Sequence, residues 1–145
     1  MSRDLLDVNA LLALLDPMHV HHEAAHGWYG RRPGRLLLTC SHVENGVIRV
    51  ASQPKYPNCL GTGGCVREAL KFFIDQVSAE RCSREVALVD DRILLRPELL
   101  TPARVSDLYL LALAAANDAR LATFDRRIPA AAVAGGPEAL EIIPV

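Results

Sequence analysis

Short apolar runs alternating with stretches of helical periodicity constrain the fold of this chain more than any other feature. Leu5-Leu6, Leu36–Thr39, Val86–Val89, Leu121–Thr123 and Leu140–Ile143 read as short strands. Between them, helical spacing predicts helices over Asn9–Leu15, His22–Tyr29, Ser41–Ala51, Val66–Ser78 and Val105–Asp118. The second helix is closed by Gly30 and the Arg31-Arg32-Pro33-Gly34 turn, and Gln53–Gly64, rich in Pro, Gly and Asn, reads as a loop. Such alternation predicts an α/β layer fold with parallel strands.

Length and charge narrow the function classes. The 145 residues fit one domain, 1–145, with no internal repeat or linker. Aromatic residues make up only 5%, so the core is built from Leu, Val, Ile and Ala. A formal net charge of -1 argues against a protein that coats nucleic acid through bulk charge, though not against an enzyme meeting it through local arginines and a cation. Cys40, Cys59, Cys65 and Cys82 form no C-x-x-C pair, which gives no redox motif or zinc knuckle. The N-terminus has no signal-peptide layout, and no apolar run approaches the roughly 20 residues of a membrane helix. A soluble, cytoplasmic protein with reduced thiols is the expectation.

Four carboxylates stand out by position. Asp7 ends the first strand, Glu44 lies in the first turn after the second strand, Asp107 opens the long Leu/Ala helix, and Asp125 follows the strand ending at Thr123. Strand-to-helix junctions of a parallel sheet open on one edge, where ligands of such sheets bind. Each acid also has a structural reading. Asp7 could cap the Asn9 helix, Asp125 a turn, Ser41 and Glu44 could form a capping box, and Asp107 could favour a helix N-terminus. Taken jointly, acids from separate segments would share one cleft. Two such charges about 4 Å apart repel by roughly 4 kcal/mol at an effective dielectric near 20. A divalent cation removes that cost, and an oxygen donor set suits Mg²⁺ or Mn²⁺ better than Zn²⁺.

The stretches carrying these acids resemble PIN domains. The similarity lies in Leu5-Leu6-Asp7-Val8-Asn9-Ala10-Leu11-Leu12, in Thr39 to Arg49 around Glu44, in Val105 to Ala114 around Asp107, and in Arg120 to Arg127 around Asp125. Together they are similar to the VapC toxins of bacterial toxin–antitoxin pairs, with residues 53–98 least distinctive. The resemblance implies a three-layer α/β/α fold with a central parallel sheet of about five strands. It implies that Asp7, Glu44, Asp107 and Asp125 bind Mg²⁺ or Mn²⁺, with Thr123 hydrogen bonding water or an acid and Asn9 supporting the cluster. It further implies endonucleolytic cleavage of RNA, at a tRNA or rRNA site, by a metal-activated water. A VapB-like antitoxin and a homodimer are the implied partners.

Other features are weaker. His19, His21, His22 and His26 cluster, with His22 and His26 on one helix face, but no ligand spacing completes a zinc site, so a surface or packing role is expected. His42 reads as a helix-start residue. Arg126, Arg127 and Arg49 are the best candidates for phosphate contact, with Arg31, Arg32 and Arg35 on a turn. Gly61–Gly64 lacks the Lys-Ser/Thr of a phosphate loop. No aromatic stripe for stacking bases is visible in the chain. Two competing readings remain: a PIN-like domain that binds RNA or a partner without cutting, and a phosphatase with Asp7 as nucleophile. The presence of all four acids speaks against the first. The second needs an Asp where Asn9 stands.

Overall fold

The computed structural model describes residues 2–145. Its centre is a five-stranded, all-parallel sheet in the order β3-β2-β1-β4-β5. The strands are β1 (Arg3–Leu6), β2 (Leu36–Thr39), β3 (Glu80–Arg81), β4 (Arg120–Thr123) and β5 (Leu140–Ile142). Leu5, Leu6, Leu37, Leu38, Leu121 and Ala122 are all buried, which is why the three inner strands read as unbroken apolar runs.

The helices are α1 (Val8–Leu15), α2 (His22–Gly30), α3 (Ser41–Ala51), α4 (Gly63–Val77), α5 (Val105–Ala116) and a short α6 (Gly136–Ala139). Helices α1 to α4 pack on one another, whereas α5 packs on α6, β4 and β1. Parallel connections are right-handed, so strands laid to one side of β1 carry their helices on one face and strands laid to the other side carry theirs on the opposite face. The result is the expected three-layer arrangement. No helix among the described residues is long and apolar enough to cross a membrane.

Two sequence expectations are corrected. Val86–Val89 is not a strand: Val89 is 93% exposed, and the segment crosses the end of α5 as irregular chain. Buried Asn117 anchors the chain just before it, accepting from the Ser83 and Arg84 backbone N–H groups and donating to the Arg84 carbonyl, as well as to that of Leu113 in α5. The third strand is instead Glu80–Arg81, paired with Leu38 and Thr39. It is short, polar and exposed, as an edge strand that resists further pairing should be. The loop before α4 ends earlier than its composition suggests, because the Thr62 side chain accepts from Cys65 N and caps a helix beginning at Gly63. Within that loop, Tyr56 Oη and Asn58 Nδ2 each donate to Asp16 Oδ2 over 2.6 Å.

Where α1 crosses α3, the contact depends on Gly46. A Cβ there would stand 2.6 Å from Val8 Cγ2, next to the start of α1. Gly46→Ala gains up to about 1 kcal/mol of helix propensity but meets an overpacking cost of about 1–3 kcal/mol. The expected result is a net loss of up to about 2 kcal/mol, read as a lower urea midpoint at unchanged slope. A higher midpoint would mean that Val8 turns aside freely.

Candidate active site at the β1–β4 junction

The chain leaves β1 toward β2 on one side and returns to β4 on the other, so the strand order reverses between β1 and β4. Such a reversal opens a crevice beyond the strand ends. Asp7 and Thr123 face each other there, Asp7 directly after β1 and Thr123 at the end of β4. Thr123 Oγ1 donates to Asp7 Oδ2 at 2.5 Å and accepts from the Asp125 backbone N–H at 3.1 Å. Asp7 Oδ1 accepts from Ala10 N at 2.8 Å, so this carboxylate caps α1 as well as facing the crevice.

Asp7 and Asp107 line one recess together with Asn9, Arg49, His42 and Ser106. Asp107 and Asp125 are joined by Arg104, whose Nη1 donates to Asp107 Oδ2 at 3.0 Å and to Asp125 Oδ2 at 2.8 Å. Burial, reinforced by the charges of Asp107 and Asp125, pushes the Asp7 carboxyl up to about 6, against the downward pull of the Thr123 and Ala10 hydrogen bonds. Asp125 is held below the ordinary carboxylate range, chiefly by the Arg127 backbone N–H and then by Arg104. Three of the four predicted acids thus converge.

Glu44 stands apart. It accepts from Thr39 Oγ1 at 2.9 Å and from both Arg81 guanidinium nitrogens, at 2.8 and 3.0 Å, and it opens on a groove between α3 and α4. The capping box with Ser41 is absent. Cys40 is the N-cap residue, and Ser41 Oγ accepts from Arg81 instead. Among the described residues, no three His, Cys, Asp or Glu side chains are grouped closely enough to hold a metal ion as they stand.

Arg104 and Arg81 are the charged partners that the sequence reading missed. Arg104 lies three residues before Asp107, a spacing that brings side chains together on a helix and could have drawn attention to it. Arg81 lies 37 residues from Glu44, and no local signal links them. Among the histidines, His22 Nδ1 and His26 Nε2 lie 2.7 and 3.1 Å from the Ala13 and Leu14 carbonyls, at the end of α1 where main-chain acceptors lack partners. That is the packing role expected of them. His42 Nε2 meets Ser106 Oγ at 3.1 Å, so it faces the recess rather than merely opening a helix.

A family model described as PIN domain matches residues 5–134. Ribonuclease VapC44 of Mycobacterium tuberculosis is 41% identical over 133 residues, covering 92% of this chain and 93% of the relative. Ribonuclease VapC38 of the same organism is 35% identical over 123 residues, covering 83% and 84%. Among solved structures, VapBC2 from Rickettsia felis bound to a DNA fragment from its promoter aligns with a TM-score of 0.57 at 15% identity, over 88% of this chain and 93% of that one. Mycobacterium tuberculosis VapC20, described as a sarcin-ricin loop cleaving toxin, aligns with a TM-score of 0.57 at 14% identity, over 90% and 96%. These two likenesses concern the fold.

Proposed function

Because the chain belongs to the PIN-domain family, and within it to the VapC ribonucleases of toxin–antitoxin pairs, we propose that it is a Mg²⁺- or Mn²⁺-dependent endoribonuclease toxin. In this reading residues 1–145 form one PIN domain that cuts tRNA or rRNA in the cytoplasm as a homodimer, restrained by a VapB-like antitoxin. The observation that carries it is the convergence of Asp7, Asp107 and Asp125 at the strand-order reversal, with a guanidinium spanning two of them. The partner and the dimer come from the family, and the VapBC2 neighbour supports the partner.

The residues present fit a hard divalent cation. All the converging side chains are oxygen donors, and the pocket already takes up positive charge in the form of Arg104. Asp7, Asp107 and Asp125 would hold the ion, with Glu44 contributing if it leaves Arg81. A cation there would supply charge to the phosphodiester and acidify the attacking water. The remaining work falls to the chain itself. Thr123 fixes the rotamer of Asp7 and the backbone of Asp125 through one hydroxyl, so two acids keep their spacing. Arg104 balances the acid charge and is placed to turn toward a phosphate once it releases Asp107 and Asp125. Asn9, Arg49 and His42 line the approach.

One arrangement favours the non-cutting alternative: Glu44 is engaged by Arg81, and Asp107 and Asp125 by Arg104. Metal removal separates the two readings. Purified protein incubated with total RNA in Mg²⁺ or Mn²⁺ is expected to give discrete fragments, lost in EDTA and restored by excess metal. A fragment pattern indifferent to EDTA would overturn the metal-dependent assignment, and no fragments under any condition would favour the binding domain.

A further inference from the structure

A cleft of about 650 Å³ lies beside the carboxylate recess rather than in it. Asn9 lines both, and Asp125 borders the cleft while sharing Arg104 with Asp107. Its wall is aromatic on one side: the His21 and Phe124 rings stand 4.7 Å apart with planes inclined by 31°, and His19 continues the row 5.9 Å from His21. Neither His21 nor Phe124 is fully buried, so ring surface is open to the cleft. Arg126 and Arg127 line the same cleft, and the Arg127 side chain is 84% exposed. The stacking surface that no stretch of sequence displays is therefore assembled from two segments about a hundred residues apart.

We propose that this cleft is a nucleotide subsite: one unpaired base of the RNA stacks on His21 and Phe124 while Arg126 and Arg127 hold an adjoining phosphate. Rings and guanidinium forks suit the two chemically distinct parts of a nucleotide. A base offers a π-face, and a phosphate offers two oxygens to a planar fork. The charge balance fits as well. The one carboxylate at the edge, Asp125, is already countered by Arg104 at 2.8 Å and Arg127 Nε at 3.5 Å, so an incoming phosphate does not meet an uncompensated anion. A base anchored here places the neighbouring phosphodiester toward Asp7 and Asp107. The subsite thus selects for a splayed-out nucleotide, the feature that distinguishes loops and bulges from A-form helix. This inference rests on the ribonuclease reading above.

The test is equilibrium binding of a fluorescein-labelled, mixed-sequence 12-nucleotide single-stranded RNA to the full chain in EDTA. His21→Ala and, as an independent variant, Phe124→Leu are expected to weaken binding by about 5- to 100-fold. An abasic site walked along the oligonucleotide should reduce wild-type affinity at one position and add nothing further in His21→Ala. Arg126→Gln combined with Arg127→Gln should lower the salt slope by about 0.7, the contribution of one single-strand phosphate contact. Circular dichroism establishes that each variant is folded. Unchanged affinity in both ring variants, or abasic losses that persist undiminished in His21→Ala, would overturn the subsite. The same result would apply if an apolar protein segment, rather than RNA, occupies the cleft. Cleavage of total RNA is scored separately. Intact metal-dependent cleavage with unaltered binding removes the subsite alone, whereas absence of cleavage removes the ribonuclease reading.

Discussion

Asp7→Asn is expected to lower RNA cleavage by at least about 100-fold, since loss of even the outer partners of metal ligands costs 10–100-fold, while making the metal-free protein more stable at neutral pH. The two effects share one cause. The Asp7 carboxyl, raised to about 6 by burial and by Asp107 and Asp125, prefers its protonated form in the folded state. Ionising it therefore opposes folding. The penalty vanishes below the ordinary value of 3.8, where the carboxyl is protonated in both states, is small near pH 4, grows as pH rises toward 6, and is complete above that. From the ordinary value of 3.8 to about 6, the full penalty is about 3 kcal/mol. Asparagine keeps an oxygen for Ala10 N and carries no charge. In EDTA, the unfolding free energy of Asp7→Asn should match wild type near pH 4 and exceed it at pH 7.5, and saturating Mg²⁺ should close the gap by stabilising wild type alone. Denaturant titrations at the two pH values check this. A variant less stable at pH 7.5 would mean that Asp7 is needed more as a cap than it costs as a charge. Asp107→Asn should lose cleavage comparably, without the stability gain, because Arg104 already partners that carboxylate.

Arg35→Met should produce the largest stability loss of the simple substitutions, about 3–5 kcal/mol, which for a chain of this size lowers the midpoint of thermal unfolding by roughly 10 °C. At the opposite end of the sheet from the acids, Asp4 is fully buried in β1 and Arg35 is almost so. Arg35 Nη1 contacts Asp4 Oδ2 at 2.9 Å and Glu141 Oε2 at 3.4 Å, and its guanidinium lies 3.7 Å over the Trp28 ring. Trp28 Nε1 donates to Glu141 Oε2 at 2.7 Å, which joins α2 to β5 through the same group. Burial already pushes the Asp4 carboxyl up in spite of Arg35. Without the guanidinium, Asp4 keeps only Ser2 and a distant Arg120 at 3.8 Å. Adding Asp4→Asn to Arg35→Met should recover part of the loss, because the stranded charge goes with it. A loss under about 1 kcal/mol for Arg35→Met would mean that the network is neutral. This arginine, grouped from sequence with Arg31 and Arg32 on a turn among candidates for phosphate contact, is structural.

What could be read in advance follows from how local each signal is. Ser41–Ala51 has the observed bounds because one apolar face and a preceding buried strand define it from within. Burial on both faces made Leu36–Thr39 and Leu121–Thr123 visible as uninterrupted apolar runs. Glu80–Arg81 was invisible for the converse reason. Two exposed polar residues become a strand only through the main chain of β2. The apolar Val86–Val89 was the misleading substitute. At the site, the cap reading of Asp7 holds through Oδ1, while its Oδ2 accepts from Thr123, a partner 116 residues away that no spacing could indicate. The pairing of Glu44 with Arg81 and of His21 with Phe124 depends on where β3 and β4 lie in the sheet, which no residue spacing records.

The position of β1 in the middle of the sheet also sets an order of events during synthesis. Of these five strands the earliest made is the central one, yet its second neighbour, β4, spans Arg120–Thr123. Until that segment emerges, β1 is an edge, Asp7 lacks its Thr123 partner, and Asp125 does not yet exist. Pairing across such a sequence separation is slow to form and late to complete. A chain ending before Arg120 holds no assembled carboxylate pocket, because it lacks both Thr123 and Asp125. The carboxylate pocket is complete only once Asp125 has followed β4 out.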